Sequence, residues 1–161
     1  MPAPTPAYVA APGSIAVTST AKTVLMLIPG AGKPIVVCNL EVSFDASGIM
    51  CLVELVESTQ ATNGTAGTDF ASSVKQLRGF AAGDTTALPD SMGVRHTYTS
   101  EPTVLTVLKN WYFSSGGVFI RDFPLGREVQ SLLSGASKYK GIGLRVKSAS
   151  NVNCYPSMEW E

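Results

Sequence analysis

The sequence predicts an all-β protein, a single antiparallel β-sandwich that is jelly-roll-like and has about eight strands. Two observations predict this fold class. Apolar and polar residues alternate with a period of two in several segments, and clusters of glycine, proline, serine and asparagine separate those segments. Short strands with turns at this spacing are typical of folds in which two sheets pack face to face.

Composition limits the classes of protein to which the chain can belong. With 161 residues, the chain is long enough for one domain with a core of its own. Hydrophobic residues make up 45%, which excludes wholesale disorder. Lys+Arg and Asp+Glu both number 12, so the sequence predicts neither a nucleic-acid partner nor a polybasic membrane anchor. Charged residues are only 15%, and we expect copies of the chain or a scaffold to cover part of the surface.

Residues 1–13 form a separate unit, an arm rich in proline and alanine. Proline has no N–H to give to a strand ladder, so we predict an extended arm that stays out of the central sheet. The arm is either a disordered tail or a segment that crosses to a neighbouring subunit. It lacks the basic start and the apolar run of a signal peptide, so we expect synthesis and folding in a cytosol. Residues 14–161 then form the sandwich domain.

The strands of the N-terminal half are predicted at residues 14–18, 23–28, 35–45 and 50–57. The third is the clearest, because its apolar residues occupy every second position. These positions are Val36, Cys38, Leu40, Val42 and Phe44. An Ala-Ser-Gly turn at residues 46–48 follows, and we predict that the next strand returns as its antiparallel partner.

A long insertion is predicted over residues 58–93, on an exposed and variable face of the domain. Its two ends, residues 58–68 and 81–93, lack the alternation of strands and are predicted to be loops. A short helix is predicted over residues 70–80, from the helical spacing of Phe70, Val74 and Leu77.

Further strands are predicted at residues 94–99, 103–113, 118–123, 141–148 and 152–160. A hairpin turn, Ser-Ser-Gly-Gly at residues 114–117, is predicted between the second and third of these strands. In the fourth, Ile142, Leu144 and Val146 share one face. Pro156 interrupts the last strand, which indicates an edge position or a bulge.

No enzyme motif is complete in the sequence. Residues 30–34 (GAGKP) look like the end of a phosphate-binding loop, but Pro34 replaces the required serine or threonine and offers no N–H to a phosphate. The single histidine, His96, has no accompanying GxSxG elbow and is interpreted as structural. The acidic pairs, interpreted as solvated, are Glu54 with Glu57 and Glu159 with Glu161. We therefore predict no catalytic, cofactor-binding or metal-binding residues.

Cysteines and aromatic residues also have structural interpretations. The cysteines are Cys38, Cys51 and Cys154, which lack CxxC spacing and are interpreted as buried thiols. A bridge between Cys38 and Cys51 remains open, although it is unusual in a reducing compartment. Alternation places Trp111 and Phe113 on one face of their strand and Tyr112 on the other. Such a cluster suits a sugar-stacking platform or core packing, and core packing is favoured.

The segment RDFPLGRE at residues 121–128 predicts a tight structural corner at the end of a strand. Proline fixes its own φ and glycine accepts a positive φ, which together suit a turn. An ion pair between Arg127 and Glu128 is expected to fix the corner. The corner residues are Phe123, Pro124, Leu125, Gly126, Arg127 and Glu128.

The same segment carries a resemblance to a known family. FPLGRE at residues 123–128 resembles a motif of small β-sandwich virion proteins of tailed bacteriophages, especially phages of actinobacteria. Shorter pieces agree in order: AKTVL at 21–25, VSFD at 42–45, GLRV at 143–146, and VN at 152–153 before the terminal EWE. The resemblance covers most of the chain outside the arm and the 58–93 insertion.

The resemblance implies a non-enzymatic virion protein, a capsid decoration (cement) protein that binds the assembled capsid surface and stabilises it. Its partners would be copies of itself, as a homotrimer, and the major capsid protein. Its location would be the capsid exterior, after synthesis in the host bacterial cytoplasm. The arm residues expected to touch the shell or a neighbouring subunit are Pro2, Pro4, Pro6, Tyr8 and Pro12. The alternative is a tail- or fibre-associated virion protein that binds a host-surface glycan.

Overall fold

A computed structural model describes residues 7–29, 34–59, 68–69, 74–78, 93–124, 126–131 and 140–161. Every regular element within these ranges is a β-strand, and every strand pair is antiparallel. The strands form two sheets that share one large core. The predicted β-sandwich is therefore confirmed, while the jelly-roll strand order stays a prediction.

The described residues contain thirteen strands instead of about eight. In chain order they are β1 (Ala7–Ala10), β2 (Ile15–Val17), β3 (Lys22–Ile28), β4 (Ile35–Phe44), β5 (Met50–Thr59), β6 (Thr68–Asp69), β7 (Lys75–Arg78), β8 (Gly93–His96), β9 (Thr103–Ser114), β10 (Phe119–Asp122), β11 (Val129–Ser131), β12 (Lys140–Ser148) and β13 (Val152–Trp160). Strands β1, β6, β7 and β11 were not predicted. Strand β1 lies in the proline-rich arm and β7 in the predicted helix, and β6 and β11 have only two and three residues, too few to display an alternating pattern.

The two sheets differ in strand order. The first sheet runs β10-β4-β13-β1-β7, with β11 also paired to β4 and β2 also paired to β13. The second sheet runs β6-β8-β3-β12-β5-β9. Strands β9 and β10 are thus edge strands of different sheets, although they follow one another in the chain.

Consecutive strands repeatedly cross from one sheet to the other. Strands β4 and β5, β9 and β10, and β12 and β13 are each split between the two sheets. The predictions that β5 pairs with β4 and that a hairpin joins β9 to β10 are therefore wrong. A hairpin within one sheet and a crossing between two sheets use the same types of turn residue. The turn sequences therefore do not show which of the two connections is formed. Ser115 links two crossings, because its N–H donates to the Ile49 carbonyl (2.9 Å) and its Oγ accepts from the Ile49 N–H (3.0 Å).

The N-terminal segment departs from the predicted arm. Residues 7–10 form β1, which lies between β13 and β7 inside the first sheet. Tyr8 and Ala10 are buried in the core, and Pro12 is half-buried after the strand ends. The prediction that this segment stays out of the sheet is wrong from Ala7 to Ala10, because the prolines at positions 6 and 12 leave a short run between them that keeps its N–H groups.

The long insertion is only partly within the described residues. Strand β7 pairs with β1, so the predicted short helix is wrong over Lys75–Arg78. Val74 is buried and Leu77 is exposed, which fits an extended segment better than one helical face. The loops predicted over residues 58–68 and 81–93 are wrong at their described ends, where residues 58–59 belong to β5, Thr68 to β6 and Gly93 to β8. Residues 60–67 and 81–92 lie outside the described residues.

A β-bulge shifts the alternation in β4. Glu159 pairs with Asn39 and Trp160 pairs with Val37, so Cys38 is the extra residue between them. Leu40 and Val42 face the core as predicted, but beyond the bulge the buried residues are Ile35 and Val37. The prediction that Val36 and Cys38 belong to the buried set is wrong because one extra residue reverses the faces of a strand.

Strand β13 lies in the interior of the first sheet, contrary to the edge position inferred from Pro156. It pairs with β4 on one side, and with both β2 and β1 on the other. The pairing with β2 ends at Cys154 and the pairing with β1 begins at Met158, so Pro156 lies opposite the gap. A residue without an N–H is tolerated at such a gap in the ladder. In β12, Ile142, Leu144 and Val146 are buried together, which confirms that prediction.

Candidate functional site

The candidate site lies at the open side of the sandwich, between the edge strands β9 and β10. Phe119 on β10 contacts both Trp111 and Phe113 on β9, with ring centroids 5.3 Å apart in each case. Phe113 also contacts Phe44, with centroids 5.4 Å apart. These half-buried rings join the two sheets and separate the aliphatic core from a cleft at the surface.

Two cationic residues occupy inward-facing positions on these edge strands. Lys109 pairs with Leu55, and Arg121 pairs with Leu40. Both partners are fully buried, and cross-strand partners lie on the same face of a sheet. Lys109 and Arg121 are exposed because both strands are at an edge, and both residues line the cleft between the sheets.

The cleft has a volume of about 440 Å³. Its lining residues are Lys109, Trp111, Arg121, Asp122, Phe123, Pro124 and Arg127. Three cations thus face one carboxylate, and Oδ1 of that carboxylate, on Asp122, accepts a hydrogen bond from Nδ2 of Asn39 at 2.5 Å. The excess positive charge in a partly enclosed space attracts anions.

The corner after β10 forms one wall of the cleft. The Phe123 N–H donates to the Cys38 carbonyl (2.9 Å), and the Arg127 N–H donates to the Pro124 carbonyl (2.8 Å). The second bond closes a four-residue turn in which Gly126 has a φ of 81°, as predicted for a tight corner. Leu125 lies outside the described residues.

The ion pair expected within the corner is not formed. Among the described residues, Arg127 and Glu128 make no ion pair; Arg127 is exposed and lines the cleft, and Glu128 is half-buried. Neighbouring residues in an extended segment point in opposite directions, which keeps their side chains apart. The corner is therefore held by its backbone hydrogen bonds, and the Arg127 side chain is left for the cleft.

The aromatic residues follow the predicted alternation. Trp111 and Phe113 pack against the core as expected, while Tyr112 on the opposite face is 71% exposed. Trp111 also lines the cleft, so one side chain both packs against the core and contributes to the candidate site. The alternating pattern does not distinguish these two environments. The alternation did contain a signal for the cleft: Lys109 shares its face with Trp111, and Arg121 shares its face with Phe119.

The predicted arm contacts are distributed differently. Pro2, Pro4 and Pro6 lie outside the described residues. Tyr8 is 8% exposed and stacks on Trp160, so it serves the core of its own chain. Pro12 is half-buried at the end of β1.

The remaining candidates for chemistry are dispersed. His96 ends β8, its Nδ1 lies 2.8 Å from the Thr97 hydroxyl, and burial lowers its pKa. Glu54 forms a cross-strand ion pair with Arg145 at 3.7 Å on the outer face of the second sheet. Residues 30–33 lie outside the described residues. Within the described ranges, His, Cys, Asp and Glu side chains form no group of three that could hold a metal ion.

No disulfide bond involves the three cysteines, all of which the structure describes, so the Cys38–Cys51 bridge is not formed. Cys51 and Cys154 are buried as predicted, while Cys38 is half-buried at the bulge of β4. Burial raises the pKa of the Cys154 thiol to about 12, and it also raises the pKa of Cys51. Both buried thiols are therefore protonated and unreactive near neutral pH.

Comparison with known proteins adds no relative. No protein-family model, curated protein or solved structure matches the chain. In the part of the chain that the structure describes, no helix is long and apolar enough to cross a membrane. Fold and site together define an antiparallel two-sheet β-sandwich with a cationic, aromatic cleft at one open side.

Proposed function

We propose that the chain is a non-enzymatic structural protein of a tailed-phage virion, a decoration protein that binds the outer surface of the assembled capsid as a homotrimer. The observation that carries the proposal is a pair of exposed apolar patches, one on each outer face of the sandwich. Exposed apolar patches are typical of surfaces that other proteins cover. The resemblance of residues 123–128 to small virion proteins supplies the virion context.

The first patch, which we call the β9 patch, consists of Met50, Leu52 and Tyr112. Tyr112 pairs with Leu52, whose chain neighbours Cys51 and Val53 are buried in the core, so this pair faces outward. Met50 lies on the same face two residues earlier and is 55% exposed. Val107 is also exposed on β9, but the polar pair of Glu54 and Asn110 separates it from the patch.

The second patch, which we call the β10 patch, consists of Val118, Ile120 and Tyr155. Ile120 pairs with Glu41 and Tyr155 pairs with Ser43, on the outer face of the first sheet. All three residues of the patch are exposed. The β9 and β10 patches therefore lie on opposite outer faces and beside the same open side of the sandwich.

Two different patches on one subunit suit a cyclic assembly. In a ring, each subunit offers one surface to the copy before it and a different surface to the copy after it. A trimer of this kind would bury the β9 patch of each subunit against the β10 patch of the next. The zero net charge of the chain adds little repulsion between copies.

The free edge of β9 is poorly suited to open-ended strand pairing. Its register with β5 shifts twice, at Leu55/Val56 and at Glu57/Ser58, and each shift marks a bulge or irregularity. Lys109 adds an inward-facing charge on the same edge strand. Bulges and inward-facing charges are features that protect edge strands from pairing with other chains. The faces of the sandwich, rather than the β9 edge, are therefore proposed for contacts between copies.

Immunogold electron microscopy of intact virions tests the proposal. Antibodies raised against the purified protein are applied to particles, and the gold over heads, tails and tail tips is counted. We expect dense label over the head. Label confined to the tail, or no label on any particle, would overturn the decoration role.

A second candidate is a tail- or fibre-associated protein that binds a host-surface glycan. The cationic, aromatic cleft favours this candidate, because contacts through the two apolar patches do not involve the cleft. The microscopy separates the two, since a recognition protein would be labelled at the tail or its tip. Binding of the purified protein to isolated, expanded capsids would support the decoration role independently.

A further inference from the structure

We propose that the cleft between β9 and the corner after β10 is a binding site for a carboxylate-bearing saccharide, such as a uronic-acid oligomer. The inference goes beyond capsid binding and does not depend on it, because isolated protein suffices for the test. It rests on the charge of the cleft, its aromatic wall, its size and the rigidity of the elements around it.

The charge of the cleft selects an anion. Lys109, Arg121 and Arg127 line it together with one carboxylate, that of Asp122, which is engaged by Asn39. Arginine presents a planar fork of donors that matches the two oxygens of a carboxylate. A carboxylate placed between Arg121 and Arg127 would replace the water that now solvates both side chains.

The aromatic wall selects a ligand with an apolar face. Trp111 is half-buried and lines the cleft, and Phe123 lies in the opposite wall. An indole offers a broad, flat and weakly hydrated surface, against which the C–H face of a pyranose ring packs well. A flexible acidic peptide has no comparable flat apolar face, so the wall favours a saccharide over an acidic protein segment.

The size of the cleft excludes a simple ion as its best ligand. A volume of about 440 Å³ lies within the range of sites for drug-sized molecules, about 300–1,000 Å³. Inorganic phosphate or sulfate would leave most of that space filled with water and Trp111 without a contact. Two or three sugar rings match the volume and span from the cations to the indole.

The walls of the cleft are held in place before a ligand binds. Trp111 is paired with Val53 on β5 and packs on Phe119. Phe123 and Arg127 are fixed by the backbone hydrogen bonds of the corner. Such preorganisation reduces the entropy lost on binding.

The two tryptophans of the chain make the test direct. Trp111 lines the cleft, whereas Trp160 is 1% exposed in the core. Titration with trigalacturonic acid at low ionic strength should change the Trp111 emission in a saturable way. The Trp111→Phe variant should lose this change while Trp160 continues to report a folded core. Trigalacturonic acid with its carboxyls methyl-esterified is the matched ligand, and it should produce no saturable change.

Charge variants identify the cations, with calorimetry as the readout. Arg121→Gln and Arg127→Gln should each weaken trigalacturonate binding about tenfold. Lys109→Gln has a matched control in Lys147→Gln, because Lys147 is also exposed but lies on the outer face of β12. Lys109→Gln should weaken trigalacturonate binding, and Lys147→Gln should leave it unchanged. Lys109→Gln also keeps the test decisive if an arginine variant fails to fold.

Three results would overturn the proposal. The first is the absence of saturable binding. The second is binding that the esterified ligand shares, or that Lys109→Gln and Lys147→Gln weaken equally. The third is tight binding of a tri-glutamate peptide that the Trp111→Phe variant retains in full, which would make the cleft a docking site for an acidic protein segment.

Discussion

The Tyr8 ring stacks on the indole of Trp160, with ring centroids 5.9 Å apart and an angle of 25° between the planes. The two residues are cross-strand partners in β1 and β13, and both are buried. The contact joins a segment near the start of the chain to the strand that completes the first sheet. A segment that the sequence presents as an arm is thereby part of the core.

The first prediction concerns the stability that Tyr8 provides. Tyr8→Ala removes a buried ring and its stacking contact with Trp160, so we expect the free energy of unfolding to fall by about 3 kcal/mol. Urea denaturation followed by tryptophan emission measures the change. The control is Leu105→Ala, which removes an exposed apolar side chain of β9 that belongs to neither apolar patch and should cost less than about 1 kcal/mol. Equal losses in the two variants would contradict the role of Tyr8 in the core.

A second prediction concerns the close approach of β3 and β12 at Gly141. A Cβ on Gly141 would overlap the Leu27 carbonyl oxygen and come within 3.0 Å of the Met26 Cε. The Leu27 carbonyl is part of the backbone and cannot move aside as the end of a flexible side chain can. We therefore expect Gly141→Ala to lower the free energy of unfolding by at least about 2 kcal/mol. Gly143→Ala is the matched control on the same strand, where a Cβ meets its nearest atom at 3.5 Å. Unfolding midpoints that fall equally in both variants would refute the expectation.

A third prediction uses the pKa of Cys154, which burial raises from 9.0 to about 12. Above pH 9 the thiol ionises in the unfolded chain but stays protonated in the folded one, so rising pH favours unfolding. The stability advantage of the wild type over Cys154→Ala should therefore shrink between pH 9 and 12, by at most about 1.4 kcal/mol per pH unit. All other titrating groups are present in both proteins, so their effects cancel in the difference between the two free energies of unfolding. An advantage that stays constant over this range would count against the raised pKa.

A fourth prediction concerns self-association through the two apolar patches. Tyr112→Ser and Ile120→Ser each place a polar group in one patch, and either change should shift the trimer toward monomer in analytical ultracentrifugation. Leu77→Ser is the control, since Leu77 is 52% exposed on β7, which belongs to neither patch. A mixture of the two patch variants should recover some association, because each retains the surface that the other lacks. A wild-type protein that sediments as a monomer at every concentration would exclude the trimer.

Much of the fold follows from alternation in the sequence, and its failures have identifiable causes. The period of two placed most long strands and the buried face of β12 correctly. In β4 it failed at one extra residue, Cys38, because a bulge is set by the partner strand and leaves no mark in the strand that contains it. Turn residues located the crossings, but whether a turn stays in one sheet depends on distant partners, which local patterns do not encode.

The cleft was only partly predictable from the sequence. Alternation places Lys109 on the face of Trp111 and Arg121 on the face of Phe119, but the sequence predicted a hairpin between these strands instead of a crossing between sheets. Lys109 and Arg121 lie on consecutive strands that belong to different sheets, and the crossing after β9 brings the edges of those strands to one opening. The proline and glycine of the corner were recognised correctly from their backbone preferences. Local backbone preferences do not encode that the corner and Trp111 line the same cleft.

The central position of β13 has a consequence for how the protein is made. Strands β1, β2 and β4 all pair with β13, so the first sheet has no centre until the segment from Val152 to Trp160 has left the ribosome. A chain interrupted before Val152 would expose the apolar faces of three early strands and offer them to proteases and chaperones. A chain that lacks β13 therefore cannot assemble the first sheet, because β13 is the strand that joins β1 and β2 to β4.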